Sequence, residues 1–349
     1  MKSYWFTKGV LAYLLTPVML LYRFLVFIRR SLYQIGFLKS LPSPLPVIVV
    51  GNISVGGTGK TPVVIALVDK LRRAGLKPAI VSRGYGGVPQ SKPLLLRSDT
   101  PVGLSGDEPA LLAMQTSVPV CVCIQRSLAV QCIADETEAD IVISDDGLQH
   151  YAMQRDVEIA VIDAERGLGN GWMLPAGFLR EPPRRLLQTD LMVMQTVKDA
   201  KPVSESEVAL MTKQRQPLSV PFGSFYLKID AVRHLADGNQ LHLNQFAGQT
   251  VHAVAGLGNP QRFFHALRAA GLVLHEHAFP DHHDYVAEDL QFSDDFAVLL
   301  TPKDAVKVRS LTIESHGIYE VVVSAKLDVA LTTQLDNIVN RFANSTNQL

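Results

Sequence analysis

Short apolar runs alternate along the chain with longer segments whose apolar residues recur at helical spacing. The runs have the length and β-branched content of strands that are buried on both faces of a sheet. They cover residues 47–50, 79–82, 141–144, 159–163 and 191–195. After the first run, residues 61–74 have helical spacing, and Gly75 follows as a helix stop. This alternation predicts an α/β fold in which helices cover a parallel sheet.

A second, smaller α/β region follows the first one. Residues 225–229 and 240–243 lie on either side of Asp237 and Gly238, a pattern typical of a β-hairpin. Further strand-like segments cover residues 250–255, 296–301 and 319–324, and a helix-like segment covers 261–270. We therefore predict a hydrophobic N-terminal anchor over 1–40, a first α/β domain over 41–222, a hairpin linker over 223–246 and a C-terminal α/β domain over 247–349.

The N-terminal segment, residues 10–28, is almost wholly apolar and carries one charge, Arg23. A cleaved signal peptide needs a small-residue cleavage site, whereas FIRRSLYQ follows here. A helix buried in the protein core is a second interpretation. The one that we favour is a retained membrane anchor, either spanning the bilayer or lying in its interface. The basic residues Arg29, Arg30 and Lys39 then predict that the following domain lies in the cytoplasm.

Charge and cysteine content restrict the possible functions. The 349 residues include 33 Lys and Arg and 33 Asp and Glu, so no overall positive field favours nucleic acid as a partner. The three cysteines, Cys121, Cys123 and Cys132, lack the C-x-x-C spacing of a zinc or redox site. Their small number fits a reducing compartment. The sequence gives no indication of an obligate protein partner.

A glycine-rich sequence, SVGGTGKT, connects the first predicted strand to the first predicted helix. A phosphate-binding loop (P-loop) requires this context, although Ser54 stands where the general motif has glycine. Lys60 would contact the β- and γ-phosphates of ATP, and Thr61 would bind Mg²⁺. The predicted nucleotide-binding residues are Ser54, Val55, Gly56, Gly57, Thr58, Gly59, Lys60 and Thr61. The predicted fold class is thus a P-loop NTPase-like parallel sheet with a smaller α/β lobe and a membrane-associated N-terminal helix.

Two aspartates, Asp145 and Asp146, follow the apolar run at residues 141–144. In parallel sheets, ligands bind at the carboxyl ends of the strands. One carboxylate could hold Mg²⁺, and the other could hold a water molecule or the substrate. The predicted magnesium site therefore comprises Thr61, Asp145 and Asp146, and the sequence leaves open which aspartate touches the metal.

Several classes of nucleotide-binding protein do not fit the sequence. Guanine recognition needs N-K-x-D, and the nearest segment, residues 325–328, lacks the asparagine. Partitioning ATPases carry an additional lysine early in the loop, and residues 256–260 lack the third glycine of a dinucleotide-binding motif. A kinase, a membrane-tethered ATPase and a regulatory nucleotide-binding module remain possible. Charged residues in several loops after strands favour the kinase.

Eight motifs occur in the same order as in a known enzyme family. They are VGNISVGGTGKTP, SRGYGG, SGDEP, SDDGLQH, LPAGFLREP, GLGNPQRFF, FPDHHDY and TPKDAVK, between residues 50 and 307. In these motifs the chain resembles the tetraacyldisaccharide 4′-kinases, the membrane-bound lipid A kinases of Gram-negative bacteria. The resemblance implies a two-lobed α/β protein at the inner membrane, with its catalytic domains on the cytoplasmic face.

The implied reaction transfers the γ-phosphate of ATP, with Mg²⁺, to the 4′-hydroxyl of a membrane-embedded tetraacylated glucosamine disaccharide 1-phosphate, which forms lipid IVA. Asp107 of SGDEP would act on the acceptor hydroxyl, as a base or as an orienting group. His282 of FPDHHDY would pair with it, with the adjacent His283 as the alternative. Lys60 and Asp146 complete the implied catalytic set. The residues implied to line the cleft or to contact phosphate or lipid headgroup are Arg83, Tyr85, Arg126, Gln149, His150, Arg180 and Glu181.

Overall fold

One mixed β-sheet runs through the part of the chain that the structure describes. The structure is a computed structural model and describes residues 3–198, 200, 203–212, 218–311 and 317–346. The strands are β1 (Val47–Gly51), β2 (Pro78–Ser82), β3 (Leu94–Leu95), β4 (Val120–Val122), β5 (Ile141–Asp145), β6 (Val157–Asp163), β7 (Leu191–Thr196), β8 (Phe222–His234), β9 (Gln240–Leu241), β10 (Thr250–Ala255), β11 (Val273–Ala278), β12 (Val298–Leu300) and β13 (Ile318–Leu327). Their order across the sheet is β11-β10-β12-β13-β8-β7-β6-β1-β5-β2-β4-β3, and β9 pairs with β8.

Helices cover both faces of this sheet. They are α1 (Val10–Leu14), α2 (Thr16–Gln34), α3 (Lys60–Arg73), α4 (Val102–Ser105), α5 (Asp107–Thr116), α6 (Arg126–Glu136), α7 (Glu205–Thr212), α8 (Pro260–Ala269), α9 (Pro302–Val308) and α10 (Val329–Thr346). Short 3₁₀ turns cover Ser3–Trp5, Pro183–Gln188, Leu243–Phe246 and Ala287–Leu290. Val47 and Val49 pack into the core on one face, and Ile48 and Val50 into the core on the other. The predicted α/β class is therefore confirmed.

The register of the central strands brings the loop after β1 close to the end of β5. β1 is parallel to both β5 and β6, with Val50 opposite Asp145 and Gly51 opposite Ala160. All residues of β1 are buried, which fits a strand covered on both faces. Because the carboxyl ends of parallel strands meet at one edge of the sheet, the P-loop and the acidic end of β5 emerge side by side.

The two lobes share the sheet through a long antiparallel pair. β8 and β13 pair along most of their length, whereas β7 is parallel to β8 and β12 is parallel to β13. The chain then returns to the first lobe, where Leu331 and Leu335 of α10 share a core with Leu67 of α3. The domain boundaries at residues 223 and 247 stay a prediction. Helix α10 lies within the predicted C-terminal domain but packs on the first lobe.

The N-terminal helices leave a broad apolar surface exposed. Leu15 separates α1 from α2, and only Ala12 and Met19 are buried in these two helices. The apolar side chains of α1 and α2 that are more than half exposed are Val10, Tyr13, Leu14, Val18, Leu20, Leu21, Phe24, Leu25 and Phe27. Such exposure contradicts the interpretation as a helix buried in the core. No helix within the described residues has both the length and the apolar character needed to cross a membrane.

Candidate active site

The P-loop turns sharply between β1 and α3. Gly56 and Gly59 have φ angles of 89° and 81°, in the left-handed region that favours glycine. At Gly59, a Cβ atom would also lie 2.6 Å from a side-chain oxygen of β7. The backbone N–H groups of Gly57, Thr58 and Gly59 donate to no residue that the structure describes. Because α3 begins at Lys60, its positive end faces the loop, an arrangement that binds phosphate.

Two side chains that were not predicted from the sequence hold the P-loop in shape. Arg166, in the turn after β6, donates hydrogen bonds of 3.0 Å to the carbonyl oxygens of Val55 and Gly57. Asn52 donates from Nδ2 to the Thr58 hydroxyl at 3.1 Å. Arg166 thereby engages the negative ends of two peptide dipoles, which leaves the amide groups of the loop to a phosphate.

Lys60 lies beside the acidic end of β5. Its Nζ atom is 3.4 Å from Asp146 Oδ1, and a guanidinium nitrogen of Arg180 is 3.0 Å from Asp146 Oδ2. Burial alone would raise the pKa of the Asp146 carboxyl, but Lys60 and Arg180 outweigh burial and hold it well below its usual range. Asp146 also has a φ of 48°, a strained conformation of the kind that clusters at functional sites. The structure thus brings together three predicted site residues, because Lys60 and Arg180 both pair with the ionised carboxylate of Asp146.

Asp145 is buried and lacks a donor for one of its oxygens. The Oδ1 atoms of Asp145 and Asp146 are both buried without a hydrogen-bond partner among the described residues. Burial first, and then the negative charges of Glu108 and Asp146, raise the pKa of Asp145 to about 7. A divalent cation favours oxygen ligands and would stabilise the ionised form of this carboxyl. The two carboxylates therefore have the chemistry that a magnesium site needs, and the place of Thr61, the second residue of α3, in that site stays a prediction.

Arg126, which was predicted to contact the substrate, lies beneath the two aspartates. It is the first residue of α6, and its side chain donates to the carbonyl oxygens of Asp145 and Asp146 at 3.0 and 2.9 Å. Its Nε atom has no partner within the described residues. These bonds fix the turn after β5, so the contacts that the structure gives Arg126 position the aspartates. Its contact with substrate stays a prediction.

A carboxylate and an imidazole form a pair at the entrance of the second lobe. Asp107, the first residue of α5, is buried, and its Oδ2 atom lies 2.9 Å from His282 Nδ1. The adjacent His283 pairs instead with Asp289, at 2.9 Å from Nε2 to Oδ2. His282 has a φ of 63°, again in the left-handed region. The geometry therefore favours His282 over His283 as the partner of Asp107.

Two lysines of α9, for which no role was predicted, complete this cluster. Lys303 Nζ and Lys307 Nζ lie 3.6 and 3.3 Å from Asp107 Oδ2. Burial would lower the pKa of Lys303, but the charges of Asp107 and Glu108 outweigh it and raise that pKa, so the ammonium group stays charged. Both lysines belong to the TPKDAVK motif, which was the only signal for them in the sequence. Their charge suits a site that receives a phosphoryl group.

Gln149 and Glu181 belong to a hydrogen-bond network behind the acidic turn. Gln149 Nε2 donates to Glu181 Oε2 and to the Asn52 carbonyl oxygen, both at 2.9 Å. The buried Glu181 carboxylate also contacts the Tyr151 hydroxyl and Arg185. Protein groups therefore surround this carboxylate, and its predicted contact with a headgroup stays a prediction.

The remaining predicted substrate residues, Arg83, Tyr85 and His150, differ in their exposure to solvent. Arg83 and Tyr85 are exposed after β2, and the Tyr85 ring lies 4.9 Å from the His282 ring. His150 is partly buried, and its Nε2 atom has no partner among the described residues. Burial, followed by the positive charge of Arg126, lowers the pKa of His150 to about 4, so its ring is neutral at physiological pH.

A cleft of about 530 Å³ between the two lobes joins the P-loop to the second cluster. Gly56 and Thr61 line it on one side, and Glu108 and Lys303 line it beside Asp107. A second cleft, of about 690 Å³, lies between the end of α2 and residues 151–158, and none of its described lining residues belongs to the P-loop. Only the first of these two clefts therefore combines a phosphate site with an acidic group.

Comparison with known proteins agrees with this geometry. The sequence model of the LpxK family, described as tetraacyldisaccharide-1-P 4′-kinase, matches residues 11–340. A tetraacyldisaccharide 4′-kinase of Hahella chejuensis is 43% identical over 344 residues, which are 96% of this chain and 95% of that protein. Another, of Stenotrophomonas maltophilia, is 43% identical over 339 residues, or 96% of both chains.

The same relationship holds for a solved structure. The crystal structure of LpxK from Aquifex aeolicus in complex with ATP has a TM-score of 0.78 to this chain and 27% sequence identity. It covers 95% of this chain and 99% of its own chain, so the P-loop, the acidic turn and both lobes lie within one shared fold. On these matches in sequence and structure, the chain belongs to the tetraacyldisaccharide 4′-kinase family.

Proposed function

We propose that this protein is an ATP-dependent kinase that phosphorylates the 4′-hydroxyl of a tetraacylated glucosamine disaccharide 1-phosphate and so forms lipid IVA. The observation that carries the proposal is one cleft with a P-loop on one side and the Asp107–His282 pair beside the other. Phosphoryl transfer needs a phosphate site, positive charge and a group that orients the acceptor. Family membership supports the identity of the acceptor, which the cleft alone does not specify.

ATP binding at the P-loop is supported by charge and geometry. The N–H groups of Gly57, Thr58 and Gly59 donate to no residue within the described part of the chain, and α3 begins directly after this loop, so its positive end faces the loop. Lys60 lies at ion-pair distance from Asp146. The related LpxK of Aquifex aeolicus was solved in complex with ATP. In the proposed complex, Lys60 contacts the β- and γ-phosphates.

Thr61, Asp145 and Asp146 would hold Mg²⁺ in this proposal. The fit rests on the two buried carboxylate oxygens that receive no hydrogen bond from a described residue. When bound, Mg²⁺ neutralises the negative charge of the transferring phosphoryl group. Arg126 fixes the backbone of the aspartate turn, and Arg180 fixes the Asp146 side chain. We therefore assign both arginines a positioning role in addition to any contact with substrate.

Asp107 would orient the acceptor hydroxyl. Its Oδ1 atom accepts a hydrogen bond of 3.0 Å from the Glu108 N–H, and His282 holds Oδ2. In a loose phosphoryl-transfer transition state the hydroxyl proton leaves late, so the carboxylate first orients the oxygen and then accepts its proton. Lys303 and Lys307 would stabilise the negative charge that enters the cleft with the substrates.

The N-terminal helices would bring this site to the inner membrane, with the catalytic lobes on the cytoplasmic side. A substrate with four acyl chains stays in the bilayer, because each CH₂ group withdrawn costs about 0.8 kcal/mol. The enzyme must therefore work at the membrane surface. The exposed apolar side chains of α1 and α2 provide the area for interfacial binding.

Two hydrogen bonds connect α2 to the active site. The Tyr22 hydroxyl donates to the Arg180 carbonyl oxygen at 3.1 Å, and Arg29 donates to the Gln149 carbonyl oxygen at 3.2 Å. Arg180 in turn holds the Asp146 carboxylate. A helix lying in the membrane interface would thus keep the aspartate turn at a constant height above the lipid headgroups.

A lipid phosphorylation assay tests the proposed function. The full-length protein in detergent micelles receives γ-labelled ATP and the tetraacyl disaccharide 1-phosphate, and label on the lipid is measured together with ADP. We expect Lys60→Ala and Asp107→Ala to lose most activity, whereas the exposed control variants Lys92→Ala and Asp99→Ala keep it. ADP formation without labelled lipid would identify an ATPase instead, and ATP binding without ADP would identify a regulatory module.

A further inference from the structure

Three histidines and an aspartate meet on one face of the second lobe, at the edge of the sheet. His252 lies on β10 and His275 on the edge strand β11, directly opposite each other in the parallel register. His277 follows two residues later and therefore points to the same face of β11. Asp294 reaches this face from the segment before β12. Four potential ligands thus converge at a site that the kinase reaction does not use.

The contacts within this cluster resemble those of a metal centre. One ligand atom from each of His252, His275 and Asp294 lies within 4.8 Å of the other two. His252 Nε2 is 2.8 Å from Asp294 Oδ1, and His252 Nδ1 is 2.9 Å from His277 Nε2. The Phe292 ring stacks on His252, with 3.7 Å between ring centroids. A buried imidazole is thus held between an aromatic ring, a second imidazole and a carboxylate.

Free ligand atoms and an open approach are both present. Neither ring nitrogen of His275 forms a hydrogen bond with a described residue, and the same holds for Asp294 Oδ2. His275 and Asp294 are exposed, whereas His252 is buried beneath them.

We propose that His252, His275 and Asp294 form a binding site for a divalent transition-metal ion, of which Zn²⁺ fits best. Two imidazole nitrogens and one carboxylate oxygen are typical zinc ligands, whereas Mg²⁺ prefers oxygen ligands alone. The described residues that line the cleft between the lobes do not include His252, His275 or Asp294. The site is therefore separate from the proposed magnesium site.

His277 acts on this site through His252. A metal bound to His252 Nε2 requires the proton of that ring on Nδ1, where His277 Nε2 accepts it. Such a partner fixes the tautomer and the orientation of a ligating imidazole. The bound ion would tie the segment that carries Asp294 to strands β10 and β11, and so stabilise the edge of the sheet.

Metal titration of the full-length chain without a histidine tag tests the proposal, since such a tag would itself bind Zn²⁺. The protein is stripped with EDTA in detergent and titrated calorimetrically with Zn²⁺ in excess Mg²⁺. We expect one Zn²⁺ per chain, a higher Tm with Zn²⁺ and, with Co²⁺, visible absorption typical of a low-coordinate site.

The variants separate this site from other zinc-binding groups. His275→Ala and Asp294→Asn change exposed side chains, and the asparagine keeps the oxygen that accepts from the Phe296 N–H. Both variants should lose the stoichiometric Zn²⁺ site and the rise in Tm. His277→Ala should weaken the affinity for Zn²⁺ about 10–100-fold. His265→Ala, which changes an exposed histidine on α8, is the matched control and should bind Zn²⁺ like the wild type. Absence of a site with one Zn²⁺ per chain, or full affinity in His275→Ala, would overturn the proposal.

Discussion

His282 Nδ1 lies 2.9 Å from Asp107 Oδ2, although 175 positions separate the two residues in the sequence. Asp107 begins a helix of the first lobe, whereas His282 follows β11 of the second lobe. A Cβ atom at Gly86 would lie only 2.8 Å from His282 Nδ1, so the loop after β2 also packs closely against this pair. The proposed acceptor side of the site is therefore complete only when both lobes are in place.

Replacing the Asp107 carboxylate should affect chemistry more than nucleotide binding. Asp107→Asn keeps the shape of the side chain but removes its charge. We expect kcat for lipid phosphorylation to fall about 100-fold or more, with KM for ATP almost unchanged because the P-loop remains intact. Steady-state kinetics with each substrate varied in turn measures both quantities. Asp99→Asn, on an exposed segment, is the control, and a wild-type kcat for Asp107→Asn would remove Asp107 from the reaction.

The side chain of Arg166 should matter for ATP affinity. Its two hydrogen bonds to P-loop carbonyl oxygens are charge-assisted, and bonds of that type contribute about 1.5–3 kcal/mol each. We expect Arg166→Ala to raise KM for ATP at least about tenfold, since the P-loop loses the two hydrogen bonds from Arg166. Arg97→Ala, an exposed arginine, serves as control. An unchanged KM for ATP would show that the loop holds its shape without Arg166.

The buried carboxyl of Asp145 should make stability depend on pH when Mg²⁺ is absent. Its pKa of about 7 lies above the ordinary 3.8, so the folded state binds this proton more tightly than the unfolded state. The resulting stabilisation is complete below about pH 3.8 and is lost as the pH rises to about 7, a total of about 4 kcal/mol.

Asp145→Asn removes this pH dependence and serves as its test. In EDTA, the Tm of the variant should be higher than that of the wild type, and this difference in Tm should grow between about pH 5 and pH 8. Added Mg²⁺ should stabilise the wild type more than the variant, because the variant keeps only the Asp146 carboxylate at the proposed magnesium site. Asp99→Asn should show neither effect. A difference in Tm that is constant over this pH range would contradict the assigned pKa.

The apolar surface of the N-terminal helices should determine membrane binding. Replacing Leu21 and Leu25 by Glu places two charges on side chains that are each more than half exposed, so folding should be retained. We expect this double variant to lose most flotation with liposomes of anionic lipid and most activity towards lipid substrate. Leu210→Glu, at a side chain that is 82% exposed on α7, is the matched control. Equal flotation of both variants would assign membrane binding to another surface.

The central strands could be predicted because their residues are buried on both faces and form continuous apolar runs. The run at residues 250–255 coincides with β10, and those at 47–50 and 141–144 differ from β1 and β5 by one residue. β11, by contrast, was not predicted: its sequence VLHEHA places His and Glu on an exposed edge. Helix α10 was also missed, since its apolar face becomes evident only against α3.

The residues of the candidate site likewise include some that could be predicted from the sequence and others that could not. The positions of the motifs at the ends of predicted parallel strands, together with the family resemblance, were enough to predict that Lys60 lies near Asp145 and Asp146, because parallel strands end at one edge. Arg166 and Lys303 were not predicted, since their contacts join segments far apart in sequence. Glu181 was expected to face the substrate, but whether a charged side chain points into a cleft or into a buried network depends on tertiary packing.

The ratio of labelled lipid to ADP in a single reaction tests whether the P-loop and the Asp107–His282 pair form one phosphoryl-transfer site. Wild-type protein in micelles is given limiting γ-labelled ATP and excess tetraacyl disaccharide 1-phosphate. We expect one labelled phosphate on the lipid 4′-position for each ADP formed. ADP accompanied by free labelled phosphate, with the lipid unlabelled, would contradict it.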